Sequence, residues 1–131
     1  MRKYPNVSVK LIFKYQNKIL MLLEKNGKFD FPGGRMEWGE SVLGALKREL
    51  KEELNYSLKK ELELFNVYNY ISKDKKQHFV IIEYIHQLNK MLKLSSPEKL
   101  EIFWLTKKEI LTQGIIKEKK FLDKVFNYHN T

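Results

Sequence analysis

The sequence predicts a layered α/β protein, and changes in hydrophobic period along the chain carry this prediction. Apolar and polar residues alternate with a period of two over residues 7–13, which indicates a half-buried strand. Over residues 41–54 the apolar period becomes three or four, which indicates an amphipathic helix. Strand patterns then return, so we expect the order β-β-β-α-β-β-β-α-α in a single domain spanning residues 1–131.

The remaining elements follow from local patterns. A continuous apolar run at 19–23 suits a strand covered on both faces, and a short extended piece at 29–31 ends at Pro32. The predicted helix carries an apolar stripe of four leucines: Leu43, Leu46, Leu50 and Leu54. After it we predict strands at 62–71, 78–85 and 102–105, a capping box that opens a helix at 106–109, and a final amphipathic helix at 115–126.

Composition narrows the classes of function. The chain has no cysteine, which excludes disulfides, thiolate nucleophiles and cysteine-based zinc sites. No apolar run is long enough for a signal peptide or a membrane span, so we expect a soluble, cytoplasmic protein without a membrane partner. The net charge of +9 favours anionic partners. The lysines are spread out and lack interleaved aromatics, so nucleic acid is a possible partner but not the favoured one.

Three carboxylates on the predicted helix stand apart. At helical spacing, Glu49, Glu52 and Glu53 share an arc of about 100° that borders the leucine stripe. Each like-charged pair would cost a helix roughly 0.2–0.5 kcal/mol, so something should compensate. Alone, such acids are usually a solvated face. Together with the Gly33-Gly34 turn at a fixed distance upstream, they favour a hard cation such as Mg²⁺, which binds carboxylates and phosphates and acidifies bound water.

The same stretch resembles the Nudix box, Gly-x5-Glu-x7-Arg-Glu-apolar-x-Glu-Glu-x-Gly-apolar. The matching positions are Gly34, Glu40, Arg48, Glu49, Leu50, Glu52, Glu53 and Tyr56. Residues 29–34 also resemble the aromatic-x-apolar-Pro-Gly-Gly lead-in of that family. The resemblance implies an α/β/α sandwich with a central mixed β-sheet. It also implies an enzyme that hydrolyses a pyrophosphate bond in a nucleoside diphosphate-linked substrate.

The resemblance also implies roles for individual residues. Glu49 and Glu53 would be the principal metal ligands, and Glu52 a third ligand or the base that activates water. The carbonyl of Gly33 would complete the shell of Mg²⁺, for which Mn²⁺ can substitute. Glu98, outside the box, is a candidate for a further ligand, with surface charge as the equal alternative.

Other positions in the box are expected to be structural. Arg48 and Glu40 would pair to hold the loop onto the helix, and Gly34 would serve the turn. The second glycine of the box is replaced by Asn55. Asparagine tolerates the left-handed conformation best among non-glycine residues, so we expect the helix end to be preserved.

The sequence says less about the substrate. A nucleobase slot needs aromatic residues, for which Tyr68 and Trp104 are candidates beside Tyr70 and Phe79. Arg35 and Glu37, in the loop, are candidate contacts to the rest of a small nucleotide. We favour hydrolysis of a nucleoside triphosphate to the monophosphate and pyrophosphate. The alternatives are removal of pyrophosphate from RNA 5′ ends, hydrolysis of ADP-ribose or nucleotide sugars, and nucleotide sensing without turnover. The oligomeric state is not readable from the sequence.

Overall fold

The computed structural model describes residues 3–59 and 61–129. Within these ranges the order is β-β-β-β-α-β-β-β-α-α. The strands are β1 (Asn6–Tyr15), β2 (Lys18–Leu23), β3 (Phe29–Asp30), β4 (Gly33–Arg35), β5 (Glu63–Ile71), β6 (His78–Leu88) and β7 (Glu101–Thr106). The helices are α1 (Val42–Leu54), α2 (Lys107–Thr112) and α3 (Lys119–Phe126). No helix in these ranges is long and apolar enough to cross a membrane.

The strands form one mixed sheet in the order β3-β2-β1-β6-β5, with β4 also on β1 and β7 also on β2. Strands β1 and β6 are parallel over ten residue pairs, whereas the other pairings are antiparallel. After their turn, β1 and β2 are paired only through Lys14–Ile19 and Tyr15–Lys18. The segment containing β3 and β4 then occupies the space between them, β3 on β2 and β4 on β1.

Helices cover both faces of the sheet. On one face, α1 packs on β1 and β2 through a buried cluster that includes Val9, Leu11, Phe13, Leu20, Leu22, Ala45, Leu46, Leu50 and Leu54. On the other face, α2 and α3 pack through a second cluster that includes Ile12, Ile19, Met21, Phe31, Ile85, Leu105, Ile110, Leu122 and Val125. Alternate residues of β1 therefore serve opposite cores, as the period-two pattern predicts. The α/β fold class and the mixed sheet between helices are confirmed.

Both ends of α1 are fixed by local hydrogen bonds. The Ser41 hydroxyl accepts from the Gly44 N–H at 3.0 Å, which satisfies one of the free donors of the first turn. Asn55 ends the helix at φ 51° and ψ 33°, and its N–H donates to the carbonyls of Leu50 and Lys51. The expected left-handed conformation of Asn55 is thus present, and α1 holds its three carboxylates in a defined frame.

Some element predictions need correction. Strand β4 was not expected, because Gly33-Gly34-Arg35 carries no alternation and pairs with β1 through its backbone alone. Leu43 is 40% exposed although it shares the stripe of Leu46 and Leu50, and it lies in the first turn of α1. Helix α3 begins at Lys119, four residues later than predicted from Ile115. The segment before it packs Ile115 and Ile116 against the second core cluster without helical structure.

Candidate active site

Two glycines of β4 bring the backbone against the carboxylates of α1. Gly33 has φ 135°, and a Cβ there would lie 2.0 Å from the Val9 carbonyl oxygen, so only glycine fits. Its N–H donates to Glu53 Oε1 at 2.7 Å. A Cβ on Gly34 would lie 2.4 Å from Cδ of Glu49. The Gly33-Gly34 pair therefore lies directly against Glu49 and Glu53.

Arg48 is the centre of an ion-pair network beside these glycines. Its Nε and Nη2 donate to the two oxygens of Glu40 at 2.8 and 2.9 Å, and Nη2 also donates to the Arg35 carbonyl at 3.0 Å. Its Nη1 donates to Glu49 at 2.9 Å and to Glu52 at 3.4 Å. Glu37 lies at the outside of this network, 71% exposed, with its carboxylate 4.0 Å from Arg48. The predicted pairing of Arg48 with Glu40 is observed, and it fixes the loop to α1.

The three carboxylates of α1 differ strongly in burial. Glu53 is 7% exposed, the Glu49 side chain 17% and the Glu52 side chain 51%. Burial raises the pKa of Glu53 to about 8; the Gly33 N–H and the Lys10 ammonium oppose the rise, and Glu49 and Glu24 add to it. Glu24, at the end of β2, was not singled out from the sequence. It is half-buried, and burial followed by the charge of Asp30 raises its pKa as well.

The donor chemistry of this site suits a hard divalent cation. Glu53 offers carboxylate oxygens beside Gly33 and Glu49 offers them beside Gly34, and a cation there would offset the cost of burying Glu53. Among the residues that the structure describes, however, no group of three or more His, Cys, Asp or Glu side chains is arranged to hold a metal ion. Glu49 and Glu52 face the Arg48 guanidinium instead. Glu98 lies near enough to Glu24 for its charge to raise the pKa of that carboxyl group.

A cavity of about 610 Å³ opens on the face of the sheet covered by α3. Its aromatic and apolar wall includes Met21, Phe29, Phe31, Phe65, Tyr68, Tyr70, Ile81, Ile116 and Phe121. Two polar pairs interrupt this wall. Lys10 donates to Asp30 at 3.0 Å, and Asn66 Nδ2 donates to Glu83 Oε1 at 3.1 Å. Lys10 pairs with Gly33 on one side and with Glu83 on the other, so the cavity lies next to the carboxylate site.

Glu83 is the most unusual group in the cavity, because it is a carboxyl group only 2% exposed. Burial raises its pKa to about 7; the hydrogen bond from Asn66 and the charge of Lys10 oppose the rise, and Asp30 adds to it. The sequence signal was a single acidic residue inside the apolar strand His78–Leu88, and Glu83 was not among the predicted site residues. Lys10, Asp30 and Asn66 were also missed.

Comparison with known proteins identifies the family to which this fold and carboxylate site belong. A family model described as the NUDIX domain matches residues 3–125 of the chain. The chain belongs to the Nudix family. The resemblance drawn from the box is therefore confirmed over nearly the whole chain, and not only over the motif.

Individual relatives agree with the family assignment. An ADP-ribose pyrophosphatase of Methanocaldococcus jannaschii is 38% identical over 86 residues, covering 63% of this chain and 50% of the relative. An 8-oxo-dGTP diphosphatase of Buchnera aphidicola is 32% identical over 85 residues, covering 61% of this chain and 64% of the relative. The chain thus spans about half of the first relative's length and under two thirds of the second's.

A solved structure shows the same fold. The MutT NUDIX hydrolase from Burkholderia pseudomallei superposes with a TM-score of 0.75 at 24% identity, covering 94% of this chain and 99% of that one. Hydrolases of the Nudix family generally use divalent metal ions, which agrees with the carboxylate chemistry of Glu49 and Glu53.

The substrate-contact candidates from the sequence are only partly brought together. Tyr68 and Tyr70 line the cavity. Trp104 is not brought to the cavity with them, since it packs with the α1-side cluster while its neighbour Phe103 packs with the cluster on the cavity side. Arg35 and Phe79 are not among the residues that line the cavity, and the guanidinium carbon of Arg35 lies 5.5 Å from the centre of the Phe79 ring. Of the aromatic candidates from the sequence, Tyr68 and Tyr70 are therefore the two that the structure brings to the cavity.

Proposed function

We propose that this chain is a Nudix hydrolase that converts a nucleoside triphosphate to the monophosphate and pyrophosphate with the help of Mg²⁺. One observation carries the proposal: the carboxylate site on Gly33-Gly34 and the aromatic cavity adjoin, with Lys10 of β1 between them. A pyrophosphate group at the first site and a base in the second fit a single nucleotide.

Each carboxylate has a separate task in this proposal. Glu49 and Glu53 would hold the cation together with the Gly33 carbonyl, and Glu52 is either a third ligand or the base. When bound, the cation neutralises the pyrophosphate and lowers the pKa of the attacking water. Glu52 is half-exposed, so its carboxylate can take a proton from water that enters from solvent. Arg48 orients both Glu49 and Glu52 through Nη1.

The cavity supports a nucleoside as the bound group. Its volume of about 610 Å³ lies within the range of small-molecule pockets, and apolar walls with a few polar groups are typical of them. Lys120 and Lys124 line it as well, and they would attract a charged substrate. The two curated relatives carry names for nucleoside diphosphate-linked substrates, ADP-ribose and 8-oxo-dGTP, which agrees with this choice.

ADP-ribose is a second candidate substrate, since the relative at 38% identity is named as its pyrophosphatase. Both candidates contain a pyrophosphate bond and a nucleoside. They differ in their terminal group, which is a phosphate in a nucleoside triphosphate and a ribose in ADP-ribose. A panel of substrates separates them directly.

The test is release of phosphate, with coupled pyrophosphatase or phosphatase, from nucleoside triphosphates, ADP-ribose and nucleotide sugars. Reactions would contain Mg²⁺, Mn²⁺ or a chelator. We expect turnover of triphosphates with Mg²⁺, at least partial replacement by Mn²⁺, and a loss of about 100-fold or more in Glu53→Gln. Glu61→Gln, an exposed carboxylate outside the site, is the matched control and should behave as wild type. Turnover of ADP-ribose alone would select the second candidate. Turnover that survives both the chelator and Glu53→Gln would reject the proposal.

A further inference from the structure

Glu83 occupies a position where a carboxyl group is costly. Its neighbours on the same face of β6 are Ile81 and Ile85, both buried, and it is itself 2% exposed. Burying a carboxyl group without full hydrogen bonding is unfavourable, so such a group is retained where it has a use. Within the part of the chain that the structure describes, the side-chain hydrogen bond found at Glu83 is the one that Oε1 accepts from Asn66. Because Glu83 lines the cavity, a bound ligand can donate further hydrogen bonds to its carboxyl group.

The charges around Glu83 define what that ligand presents. Lys10 is already paired with Asp30 at 3.0 Å, so the three groups Lys10, Asp30 and Glu83 together carry an excess of negative charge when ionised. An anionic group is therefore disfavoured at this point in the cavity, and N–H donors are favoured. Phosphate groups belong at the Gly33-Gly34 end, where the cation would be held.

The walls around this polar point suit a flat ring. Phe65 and Phe121 meet edge to face, with ring centres 6.0 Å apart, and Phe29 and Phe103 do the same at 5.4 Å. These contacts fix the orientation of the rings, and Tyr68, on β5 opposite Ile81, also lines the cavity. A planar heterocycle can stack on such side chains while its edge reaches Glu83.

Among the common bases, guanine alone has two adjacent N–H donors on its pairing edge, N1–H and the 2-amino group. A carboxylate accepts both at once, one at each oxygen, although Oε1 then shares its lone pairs with Asn66. The neighbouring O6 would accept from the second N–H of Asn66 or from Lys10. Adenine offers one donor beside an acceptor, and cytosine one donor beside two acceptors. Uracil has a single N–H between two acceptors.

We infer that Glu83 and Asn66 are specificity-determining residues that select a 2-amino-6-oxopurine, a guanine-type base, in the cavity beside the carboxylate site. The inference rests on the proposed function, because it assumes that this cavity receives the base of the nucleotide. It assigns to β5 and β6 a role that the Nudix box does not carry.

The test is calorimetric binding of the product nucleotides GMP, AMP, CMP and UMP, which carry no pyrophosphate bond and so give no turnover. For the wild-type chain we expect GMP to bind about 10- to 100-fold more tightly than the others, the range for one bidentate base contact. Glu83→Gln replaces one acceptor oxygen with a donor NH2 group at nearly constant shape. It should remove most of the GMP preference and leave AMP affinity within about threefold.

Glu118→Gln is the matched control, since Glu118 also lines the cavity but is exposed, and it should leave the GMP preference unchanged. Asn66→Ala is a second variant and should weaken GMP binding in the same direction. Equal affinity of the wild-type chain for all four nucleotides would overturn the inference without any variant. An unchanged GMP preference in a folded Glu83→Gln protein would overturn it as well.

The outcomes for the two proposals can be told apart. Triphosphate hydrolysis without a guanine preference in kcat/KM or in binding would leave the proposed function standing and remove this inference. Selective GMP binding without hydrolysis of any triphosphate would do the reverse, leaving base recognition in place and rejecting the reaction.

Discussion

Arg48 and Glu40 are joined by two parallel hydrogen bonds, from Nε to Oε2 at 2.8 Å and from Nη2 to Oε1 at 2.9 Å. The hydrogen bonds from Arg48 and from the Glu37 N–H lower the pKa of Glu40 to about 2, so its charge persists at any ordinary pH. Because Arg48 also contacts Glu49 and Glu52, the pair links the loop to the carboxylates that we place in the reaction.

Arg48→Lys should therefore impair activity even though it keeps the charge. Lysine cannot form the two-pronged contact with Glu40 and also reach Glu49, so the loop and the carboxylates lose their common anchor. We expect a fall of about 10- to 100-fold in kcat/KM for the hydrolysed nucleotide, as is typical when residues that orient metal ligands are changed. Lys47→Ala, exposed on the adjacent position of α1, is the control. Full activity in Arg48→Lys would show that the pair has no positioning role.

Gly34→Ala should separate activity from stability. The added methyl group would lie 2.4 Å from Cδ of Glu49, which is the far end of a flexible side chain and can move aside. We expect a small change in melting temperature but a loss of about 10- to 100-fold in kcat/KM and in apparent affinity for Mg²⁺, because Glu49 is displaced.

Gly33→Ala provides the contrast to Gly34→Ala. Its methyl group would meet the Val9 carbonyl oxygen at 2.0 Å, a backbone atom that cannot move without disturbing β1. Thermal unfolding followed by circular dichroism should therefore show a much larger drop for Gly33→Ala. Equal drops in the two variants would contradict the geometry described for β4.

Glu83 should make stability depend on pH. Burial raises its pKa from the ordinary 4.5 to about 7, so the folded chain binds this proton more tightly than the unfolded chain. The protonated form stabilises the fold below about pH 4.5, and this contribution is lost as the pH rises toward 7. Glu83→Gln mimics the protonated group. It should raise the free energy of unfolding at pH 8 by up to roughly 3 kcal/mol and change it little near pH 4.5.

Urea unfolding at the two pH values measures this difference directly. Glu118→Gln, which removes an exposed carboxylate from the same cavity, should show no such dependence. If Glu83→Gln raised the free energy of unfolding by the same amount at both pH values, ionisation of the buried Glu83 carboxyl group would not be the cause of the gain.

The parts predicted from sequence are those in which the interacting residues are close along the chain. The spacing of Glu49, Glu52 and Glu53 is set by the helix itself, and Arg48 reaches Glu40 across one short loop. The cavity depends on contacts that no local pattern encodes. Lys10 meets Glu83 only through the parallel pairing of β1 with β6, which joins strands more than 60 residues apart.

The position of Trp104 also depends on strand pairing that the local sequence does not encode. Its position on a strand was predicted, but which face it occupies follows from its register opposite Leu20 on β2, and Leu20 belongs to the α1-side core. A shift of one residue would have placed Trp104 in the second cluster in place of Phe103. The alternation of side chains along the strand could be inferred from the sequence. Which of the two alternating sets faces α1 depended on how β7 pairs with β2.

Substitutions of Asn55 test the one departure of this sequence from the Nudix box. It ends α1 at φ 51°. This left-handed conformation has no steric cost for glycine but costs alanine about 1–2 kcal/mol. Asn55→Ala should therefore lower the free energy of unfolding by about 1 kcal/mol. Asn55→Gly should change it by less than about 1 kcal/mol, since relief at this φ is offset by greater freedom of the unfolded chain. Urea unfolding of the three proteins measures both effects.

Because the exposed Asn55 side chain lies outside the carboxylate site, kcat/KM should stay near wild type in both variants. A large fall in kcat/KM in Asn55→Gly would mean that the asparagine side chain acts on the site itself.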